Sequence, residues 1–396
     1  MLVGIVGKPN CGKSTFFKSL TLANILIANY PFATIEPNKG FAHVSIPCAD
    51  KDLGVQCNPR VGFCIDHKRF VPVEVIDVAG LVPGAHEGKG LGNKFLDDLN
   101  HADALIHVID ASGFTNERGE YLGKAGHDPL DDVKFLEDEI HQWMYGILMK
   151  VWARQARAAQ QVHLEPFRLI AKQMSAFDVT EDLAKELLKR LNFSPEFTKW
   201  SNDDVMVLIK EIRKTTKPIV IAANKMDVPG AFENYERLKA AYPEYTVIPI
   251  SAESELALRE AANHGFIKYI PGSDSFEVLK PLSDAQKKGL DYIKVNVLDR
   301  FGGTGVQRLI DSMVFDVLKK IAIFPGGVNK LADSEGRVLP DCFLLKEGST
   351  ALDFANTIHT DLAKGFIRAI DVRTKKTLGK DYPLKHRDVI EIVSSK

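Results

Sequence analysis

The 396-residue sequence predicts an α/β fold with a parallel central sheet, a helical insertion and a small α+β domain at the C-terminal end. Three observations predict this fold. Short β-branched apolar runs are followed by small or polar residues, which is typical of buried parallel strands with functional loops at their carboxyl ends. Apolar residues recur at helical spacing within 129–217, and short alternating strands and turns follow Gly336.

Five apolar runs are the predicted strands of the central sheet: Val3–Val6, Val71–Val78, Ala104–Ile109, Pro218–Ala222 and Thr246–Ile250. The first run stops at Gly7, and an apolar face resumes after Ser14, so the turn between them is expected to open a helix. The loops that follow these runs are the candidates for a functional site, because parallel strands present their carboxyl ends at one edge of a sheet.

The segment 129–217 is predicted to be a helical insertion. Apolar side chains recur at spacings of three and four residues over 133–151, which predicts a long amphipathic helix. A second helix is predicted to begin at Ser194, which precedes a proline, and a third at Ser201, which forms a capping box with Asp204.

A further amphipathic helix is predicted to begin after Gly305 and to run to about Ile323, where a Phe-Pro-Gly-Gly sequence follows. Beyond it the alternating pattern predicts the small α+β tail domain. The predicted domains are a sheet-based domain at 1–128 and 218–325, the helical insertion at 129–217 and the tail at 326–396.

The composition is that of a globular protein and excludes several classes of function. Lys and Arg total 51 and Asp and Glu total 52, a net charge of −1, which argues against a protein that coats nucleic acid, so no DNA partner is expected. No apolar run approaches the ~18 residues of a membrane span, and the first residues do not resemble a signal peptide. The five cysteines favour a reducing compartment, so we expect a cytoplasmic protein.

A glycine-rich loop follows the first predicted strand. Residues 7–14 are Gly-Lys-Pro-Asn-Cys-Gly-Lys-Ser, which fits the pattern G-x-x-x-x-G-K-[ST]. Glycine allows backbone amides to approach phosphate oxygens, and the N-terminus of the next helix favours the anion. Lys13 would reach the β- and γ-phosphates, and the Ser14 hydroxyl would bind Mg²⁺. The predicted nucleotide contacts of this loop are Asn10, Cys11, Gly12, Lys13, Ser14 and Thr15.

A second pattern, Asp-Val-Ala-Gly, begins with Asp77 near the end of the second predicted strand. A carboxylate at this position suits a Mg²⁺ ligand that acts through water, and the amide of Gly80 would turn toward a γ-phosphate. The D-x-x-G pattern is weak by itself, because an aspartate at a strand end is usually a turn residue. It gains weight because a phosphate-binding loop precedes it in the same chain.

A third pattern is the Asn-Lys-Met-Asp sequence that ends at Asp227, after the fourth predicted strand. A carboxylate there can accept two hydrogen bonds from guanine, whereas adenine lacks that donor pair. Lys225 would cover the face of the base, and Asn224 would tether the loop to the glycine-rich loop. A backbone amide of Ser251 or Ala252, after the fifth strand, would contact the guanine oxygen. These motifs in this order predict a GTP-binding domain, since a P-loop kinase has no reason to carry N-K-x-D.

On these motifs the chain resembles the Obg/YchF group of translation-factor-class GTPases. Residues 29–38, Asn-Tyr-Pro-Phe-Ala-Thr-Ile-Glu-Pro-Asn, look like its first switch, in which Thr34 would close on Mg²⁺ and the γ-phosphate. Residues 84–93, Gly-Ala-His-Glu-Gly-Lys-Gly-Leu-Gly-Asn, look like its glycine-rich second switch. The tail segment 344–359 is similar to TGS domains, which have a β-grasp fold. The resemblance implies a P-loop G domain with a helical insertion and a TGS-like tail.

One residue departs from the pattern of the YchF family. That family has glutamate where this chain has Asp227, and it prefers ATP. The chain is therefore similar to a YchF relative that has kept guanine specificity, which predicts GTP over ATP.

Hydrolysis of the nucleotide is expected to be slow. Lys13 and Mg²⁺ would neutralise charge, but Leu81 stands where Ras-like proteins have a water-positioning glutamine, and leucine cannot hydrogen-bond water. Asn10 resembles the asparagine of GTPases that bind K⁺ beside the phosphates; the alternative is that it only hydrogen-bonds its own loop. His86 is a candidate for orienting water, and its alternative role is a surface or partner contact.

Two weaker signals remain. Cys48, Cys57 and Cys64, with His43 and His67 nearby, are possible zinc ligands, but no close C-x-x-C pair is present, so ordinary cysteines are favoured. A basic cluster near the C-terminal end would suit RNA phosphates, and a soluble turn is its alternative. The cluster consists of Arg373, Lys375, Lys376, Lys380, Lys385, His386 and Arg387.

Three functional hypotheses stay open at this point. The first is a slow, Mg²⁺-dependent regulatory GTPase that acts with the ribosome or its RNA, a partner suggested by analogy with TGS-type domains. The second is a YchF-like ATPase with relaxed choice of base. The third is a nucleotide-gated scaffold in which turnover matters little.

Overall fold

The computed structural model describes residues 1–22, 38–78, 99–162 and 164–395. The α/β fold class and the tail domain are as predicted. A seven-stranded sheet forms the centre of the first domain, with the strand order β2-β4-β1-β5-β6-β7 and with β3 paired to β4. Its strands are β1 Leu2–Val6, β2 Lys39–Pro47, β3 Phe63–Ile65, β4 Lys68–Asp77, β5 Ala104–Asp110, β6 Ile219–Asn224 and β7 Thr246–Pro249.

Neighbouring strands in the series β4, β1, β5, β6 and β7 are parallel to one another. Strands β2 and β3 are both antiparallel to β4. β5 and β6 are buried along their whole length, which explains their continuous apolar sequences. The carboxyl ends of the parallel strands therefore meet at one edge. Helices α1 Lys13–Thr21 and α2 Ala49–Asp52 follow β1 and β2.

The helical insertion packs on one face of the sheet. Leu136, Ile140 and Met144 of the long helix share a core with Val6 and Leu105 of the sheet. The helices are α3 Pro129–Gln161, α4 Pro166–Gln173, α5 Glu181–Arg190 and α6 Asn202–Thr216, with 3₁₀ turns at Ser175–Phe177 and Phe197–Lys199.

One predicted helix start in the insertion is wrong and another is confirmed. Ser194 accepts a hydrogen bond from the Glu196 amide at 3.1 Å, but only a 3₁₀ turn follows. Ser201 begins α6 with the predicted capping box, in which its hydroxyl and the Asp204 carboxylate each bond the other residue's amide. The reciprocal pair satisfies two amides, so the helix begins there.

The remainder of the first domain is helical apart from one short hairpin. Its helices are α7 Ala231–Ala241, α8 Ala252–Asn263, α9 Asp284–Ile293, α10 Asp299–Phe301 and α11 Val306–Ser312, with π-helical turns at Lys294–Leu298 and Met313–Val317. The short strands β8 Ile267–Lys268 and β9 Glu277–Val278 form a hairpin.

The helix predicted to run from Gly305 to about Ile323 is too long. The helical segment ends at Val317, Lys319 has a positive φ of 49°, and β10 Lys320–Pro325 follows. A short, fully buried apolar run such as 321–324 fits a strand or a helix equally well in sequence.

β10 belongs to the five-stranded sheet of the tail, whose order is β11-β10-β14-β12-β13. That sheet therefore begins at Lys320, before the boundary predicted at 326. The other elements of the tail are β11 Phe343–Lys346, α12 Ala351–Ile358, α13 Thr360–Lys364, β12 Phe366–Asp371, β13 Thr377–Leu378 and β14 Val389–Ser394.

The tail docks on the segment that joins β2 to β4. Buried Arg69 of β4 donates to the carbonyl oxygens of Leu339 and Pro340 at 3.0 and 2.9 Å. The backbone amide of Asn58 donates to Val338 O at 2.8 Å, and that of Arg60 donates to Pro340 O at 2.9 Å. Apolar residues of both domains form one continuous core beneath these contacts. None of the described helices is long and apolar enough to cross a membrane.

Candidate nucleotide-binding site

The glycine-rich loop leaves β1 in a backbone conformation that depends on glycine. Gly12 has a φ of 95°, and a Cβ there would lie 2.2 Å from Asn224 Nδ2. Gly7 is equally crowded, because a Cβ would lie 2.6 Å from Val108 O. The loop therefore passes close to β5 and to the loop after β6, and α1 begins directly at Lys13.

Asn224, at the end of β6, links the loops of the site. Its side-chain Nδ2 donates to Cys11 O at 2.9 Å, and its Oδ1 accepts from the Ala252 amide at 3.1 Å. Asn224 is buried, and a buried amide needs hydrogen-bond partners within the protein. These two bonds supply a partner for its Nδ2 and one for its Oδ1. The tether that the sequence predicted between Asn224 and the glycine-rich loop is present, and it extends to the loop after β7.

Lys225 spans the gap between two loops. Its φ is 67°, and its Nζ donates to Asn10 O at 3.0 Å and to Asp110 Oδ2 at 2.8 Å. Burial alone would raise the pKa of Asp110, but hydrogen bonds from Lys225, Ser112 and Thr115 hold it below its ordinary value. Asp110 therefore stays ionised and holds the Lys225 side chain against the glycine-rich loop.

The residues predicted to recognise the base lie together at the carboxyl ends of β6 and β7. The Ser251 hydroxyl donates to Asp227 Oδ1 at 2.7 Å, which orients the carboxylate. Tyr292 OH donates to Asp227 O at 3.0 Å. The amide of Ser251 donates to Thr304 O at 2.9 Å, so it is engaged inside the protein and does not point to a base.

Lys13, Ser14 and Asp77 converge beside the start of α1. The Lys13 ammonium forms an ion pair with Asp77 Oδ1, and Ser14 Oγ lies 3.3 Å from Asp77 Oδ2. A hydroxyl and a carboxylate are oxygen ligands of the kind that Mg²⁺ prefers, so the residues present fit this ion. Thr15 is half-buried in the first turn of the same helix.

Asn10 and Cys11 have different environments within the loop. Asn10 is exposed with a φ of 61°, and its Nδ2 donates to Gly119 O at 2.9 Å. This partner belongs to the segment after β5, whereas the sequence alternative was a bond within its own loop. Burial raises the pKa of the Cys11 thiol to about 12, so it is neutral. The predicted residues Thr34, Gly80 and His86 lie outside the described part of the chain, as does Leu81.

Sequence reasoning missed Asp110, Gly119 and Tyr292. Asp110 is the last residue of β5, as Asp77 is of β4, and that position was the signal that could have identified it. Gly119 has a φ of 80°, and a Cβ there would lie 2.5 Å from Pro9 O, so the segment after β5 packs directly on the glycine-rich loop. Gly119 and Tyr292 are remote in sequence from the motifs, and no local pattern marks them.

The glycine-rich loop, the Asn-Lys-Met-Asp loop and Ser251, gathered at one edge of a parallel sheet, define a P-loop GTP-binding protein. A relative named as a GTP-binding protein in Methanocaldococcus jannaschii is 49% identical, over 100% of this chain and 99% of the relative. The chain belongs to the YchF/Obg-like family of GTPases.

Three family models cover most of the chain. One described as 50S ribosome-binding GTPase matches residues 2–136, and one described as Obg-like GTPase YGR210-like, G4 motif-containing domain, matches residues 222–327. A TGS domain matches residues 334–394. The chain thus has a P-loop G domain and a C-terminal TGS domain, as the resemblance implied.

Further relatives support the same assignment. The ribosome-binding ATPase YchF of Bacillus subtilis is 29% identical, over 98% of this chain and 98% of the relative. The crystal structure of a GTP-binding protein from Pyrococcus horikoshii OT3 matches with a TM-score of 0.79 and 41% identity, over 100% of both chains.

Proposed function

We propose that this protein is a Mg²⁺-dependent GTPase that hydrolyses GTP to GDP and phosphate slowly and signals its nucleotide state to the ribosome or its RNA. The observation that carries the proposal is the position of the Asp227 carboxylate. Its Oδ1 accepts a hydrogen bond from Ser251 Oγ at 2.7 Å, at the same edge of the sheet as the glycine-rich loop. This hydrogen bond fixes the orientation of the carboxylate, whose two oxygens can then accept the paired donors of guanine.

The competing function is that of a YchF-like ATPase, since relatives carry that name. Adenine offers an acceptor where guanine has its N1–H donor, so a carboxylate beside it is repelled rather than paired. Base preference therefore separates the two functions.

Replacing Asp227 by glutamate tests the choice of base. We expect the unchanged protein to bind GDP more tightly than ADP, and Asp227→Glu to lose roughly 10–100-fold in GDP affinity, because a bidentate contact to a base is worth about 1–3 kcal/mol. Calorimetric titration with both nucleotides in Mg²⁺ measures this. Asp203→Glu, at an exposed position in α6, is the matched control. Equal or tighter ADP binding by the unchanged protein would favour the ATPase.

The proposed hydrolysis uses few groups of the chain. Lys13 neutralises charge on the β- and γ-phosphates, and the amides of the glycine-rich loop hold them in place. Ser14, Asp77 and Thr34 would hold Mg²⁺, which would supply further charge neutralisation when bound. The amide of Gly80 and the imidazole of His86 remain proposed contacts for the γ-phosphate and the water. Leu81 offers no hydrogen bond to water, which supports slow turnover in isolation.

A monovalent cation beside the phosphates is a further part of the proposal. The hydrogen bond from Asn10 Nδ2 to Gly119 O fixes the amide, and its Oδ1 is the atom that would contact K⁺. Such an ion would add positive charge where other GTPases use an arginine.

The ribosome or its RNA is the proposed partner because relatives are named ribosome-binding ATPases and because the tail carries exposed lysines. Arg373 and Arg387 are not available for this role, since both form ion pairs with Asp52 at 2.9 and 2.8 Å. Four lysines of the cluster remain exposed: Lys375, Lys376, Lys380 and Lys385.

Charge reversal at the exposed lysines tests the contact with RNA. We expect the double variant Lys376→Glu and Lys380→Glu to weaken binding to ribosomes. The slope of log K against log[salt] should become less steep by roughly 1–2, since each lysine that contacts a phosphate releases about one counterion. Co-sedimentation over a series of KCl concentrations measures both effects. The control is the double variant Lys189→Glu and Lys210→Glu, which reverses the charge of two lysines on the insertion that are also exposed. An equal loss in both double variants would argue against a tail-specific contact.

A further inference from the structure

Three cysteines and one aspartate converge where β2 ends. The Sγ atoms of Cys48, Cys57 and Cys64 and a carboxylate oxygen of Asp50 all lie within 4.8 Å of one another. The sequence spacing favoured ordinary cysteines, because no two are close in a C-x-x-C pair. The turn after β2 and the hairpin of β3 with β4 bring them together in space.

The distances suit one tetrahedral metal ion. Zinc–sulfur bonds of about 2.3 Å in a tetrahedron separate two sulfurs by roughly 3.8 Å. The Cys48 and Cys57 sulfurs are 3.7 Å apart, which matches this edge and is far longer than the ~2.05 Å of a disulfide. All five cysteines of the chain are free thiols.

The carboxylate of Asp50 is oriented by contacts to both of its oxygens, as is usual for a metal ligand. Asp50 is fully buried, and a buried carboxylate requires compensating partners. Its Oδ1 lies 2.9 Å from His67 Nδ1, and its Oδ2 accepts from the Cys57 amide at 3.1 Å. Such outer contacts orient ligating carboxylates in metal sites. His67 therefore acts as a positioning residue, and His43 does not belong to the cluster.

We propose that Cys48, Asp50, Cys57 and Cys64 bind one Zn²⁺ ion. Three thiolates with one carboxylate form a donor set that favours zinc over Mg²⁺ or Ca²⁺, which prefer oxygen ligands throughout. All four positions are filled by protein side chains, so the site is structural rather than catalytic.

The ion would fix the segment on which the TGS domain docks. Arg387 of that domain donates to Pro47 O at 2.8 Å, directly before Cys48. The Asn58 amide, directly after Cys57, donates to Val338 O at 2.8 Å. Both contacts flank zinc ligands, so the ion would hold the two domains in one relative position.

Metal analysis of the full chain tests the site. We expect about one zinc ion per chain after purification under reducing conditions without added zinc. Cys57→Ser should reduce the zinc content several-fold, whereas Cys342→Ser, at a cysteine outside the cluster, should retain it. Zinc well below one ion per chain in the unchanged protein, even after incubation with ZnCl₂, would overturn the proposal.

Cobalt replacement keeps the test valid if Cys57→Ser does not fold. Protein produced with Co²⁺ should show thiolate-to-cobalt charge-transfer absorption and the strong visible bands of tetrahedral cobalt. Bound cobalt without this absorption would show that the ion has no cysteine ligands, which would refute the site. A metal-free protein lighter by two hydrogens, with Cys48 linked to Cys57, would refute it as well.

Chelation tests the positioning role. Removal of zinc should increase proteolytic cleavage within 326–342 several-fold, while cleavage elsewhere stays constant. Unchanged cleavage after complete removal of zinc would disprove the link to the docking of the TGS domain.

Discussion

Replacing Gly12 by alanine is expected to reduce GDP affinity by roughly 30–5,000-fold. The added Cβ would lie 2.2 Å from Asn224 Nδ2, the atom that donates to Cys11 O, so the tether of the glycine-rich loop must break or move. A buried hydrogen bond lost in this way costs about 1–3 kcal/mol, and the φ of 95° adds about 1–2 kcal/mol for a residue with a side chain. Those costs together give the expected range of affinity.

The control for this substitution separates the steric clash from the backbone strain. Gly348, in the TGS domain, has a φ of 85°, and a Cβ there has no neighbour within 4 Å. Gly348→Ala should lower the melting temperature slightly and leave GDP binding unchanged in calorimetric titration. If Gly12→Ala bound GDP within threefold of the unchanged protein, Asn224 would not govern the shape of the loop.

Five strands of the central sheet could be predicted from sequence because each contains a largely apolar run, whereas the antiparallel strands β2 and β3 were not predicted. β5 and β6 are buried at every position, and the predicted runs lie within one to three residues of the observed bounds. The same property caused the error at β10, because four consecutive buried residues at 321–324 carry no periodicity that separates a strand from a helix. Only pairing with β11 and β14, which come later in the chain, decides that segment.

The site could be predicted where its chemistry is local. Lys13, Ser14, Asn224 and Asp227 each belong to a short pattern, and the fold brings all four to one edge of the sheet. The predicted roles of single residues toward nucleotide and metal stay predictions.

Contacts between distant segments that belong to no shared motif could not be predicted. Lys225 reaches Asp110, which is 115 residues away in sequence, and Asn10 reaches Gly119, which is 109 residues away. The cysteine cluster was undervalued for the same reason, since its sulfurs meet only after β2, β3 and β4 have paired.

Replacing Lys13 by alanine is expected to lower the rate of GTP hydrolysis by roughly 10²–10³-fold, the usual effect of removing one group that stabilises transition-state charge. The Lys13 ammonium already lies against Asp77, beside Ser14, so it is positioned at the start of α1 where the phosphates are expected. Phosphate release under single-turnover conditions measures the rate, and GDP titration shows how much of the loss is binding. Lys18→Ala, at an exposed position on the same helix, should retain full turnover.

The same variant separates a regulatory GTPase from a nucleotide-gated scaffold. A scaffold depends on the bound nucleotide and not on its hydrolysis, so Lys13→Ala would lose turnover but still bind ribosomes and support growth. A regulatory GTPase needs hydrolysis to release its partner, so the variant should remain on ribosomes in GTP and fail to complement a deletion strain. Turnover that survives in Lys13→Ala would contradict the role proposed for Lys13, because it would locate the hydrolytic charge stabilisation outside this side chain.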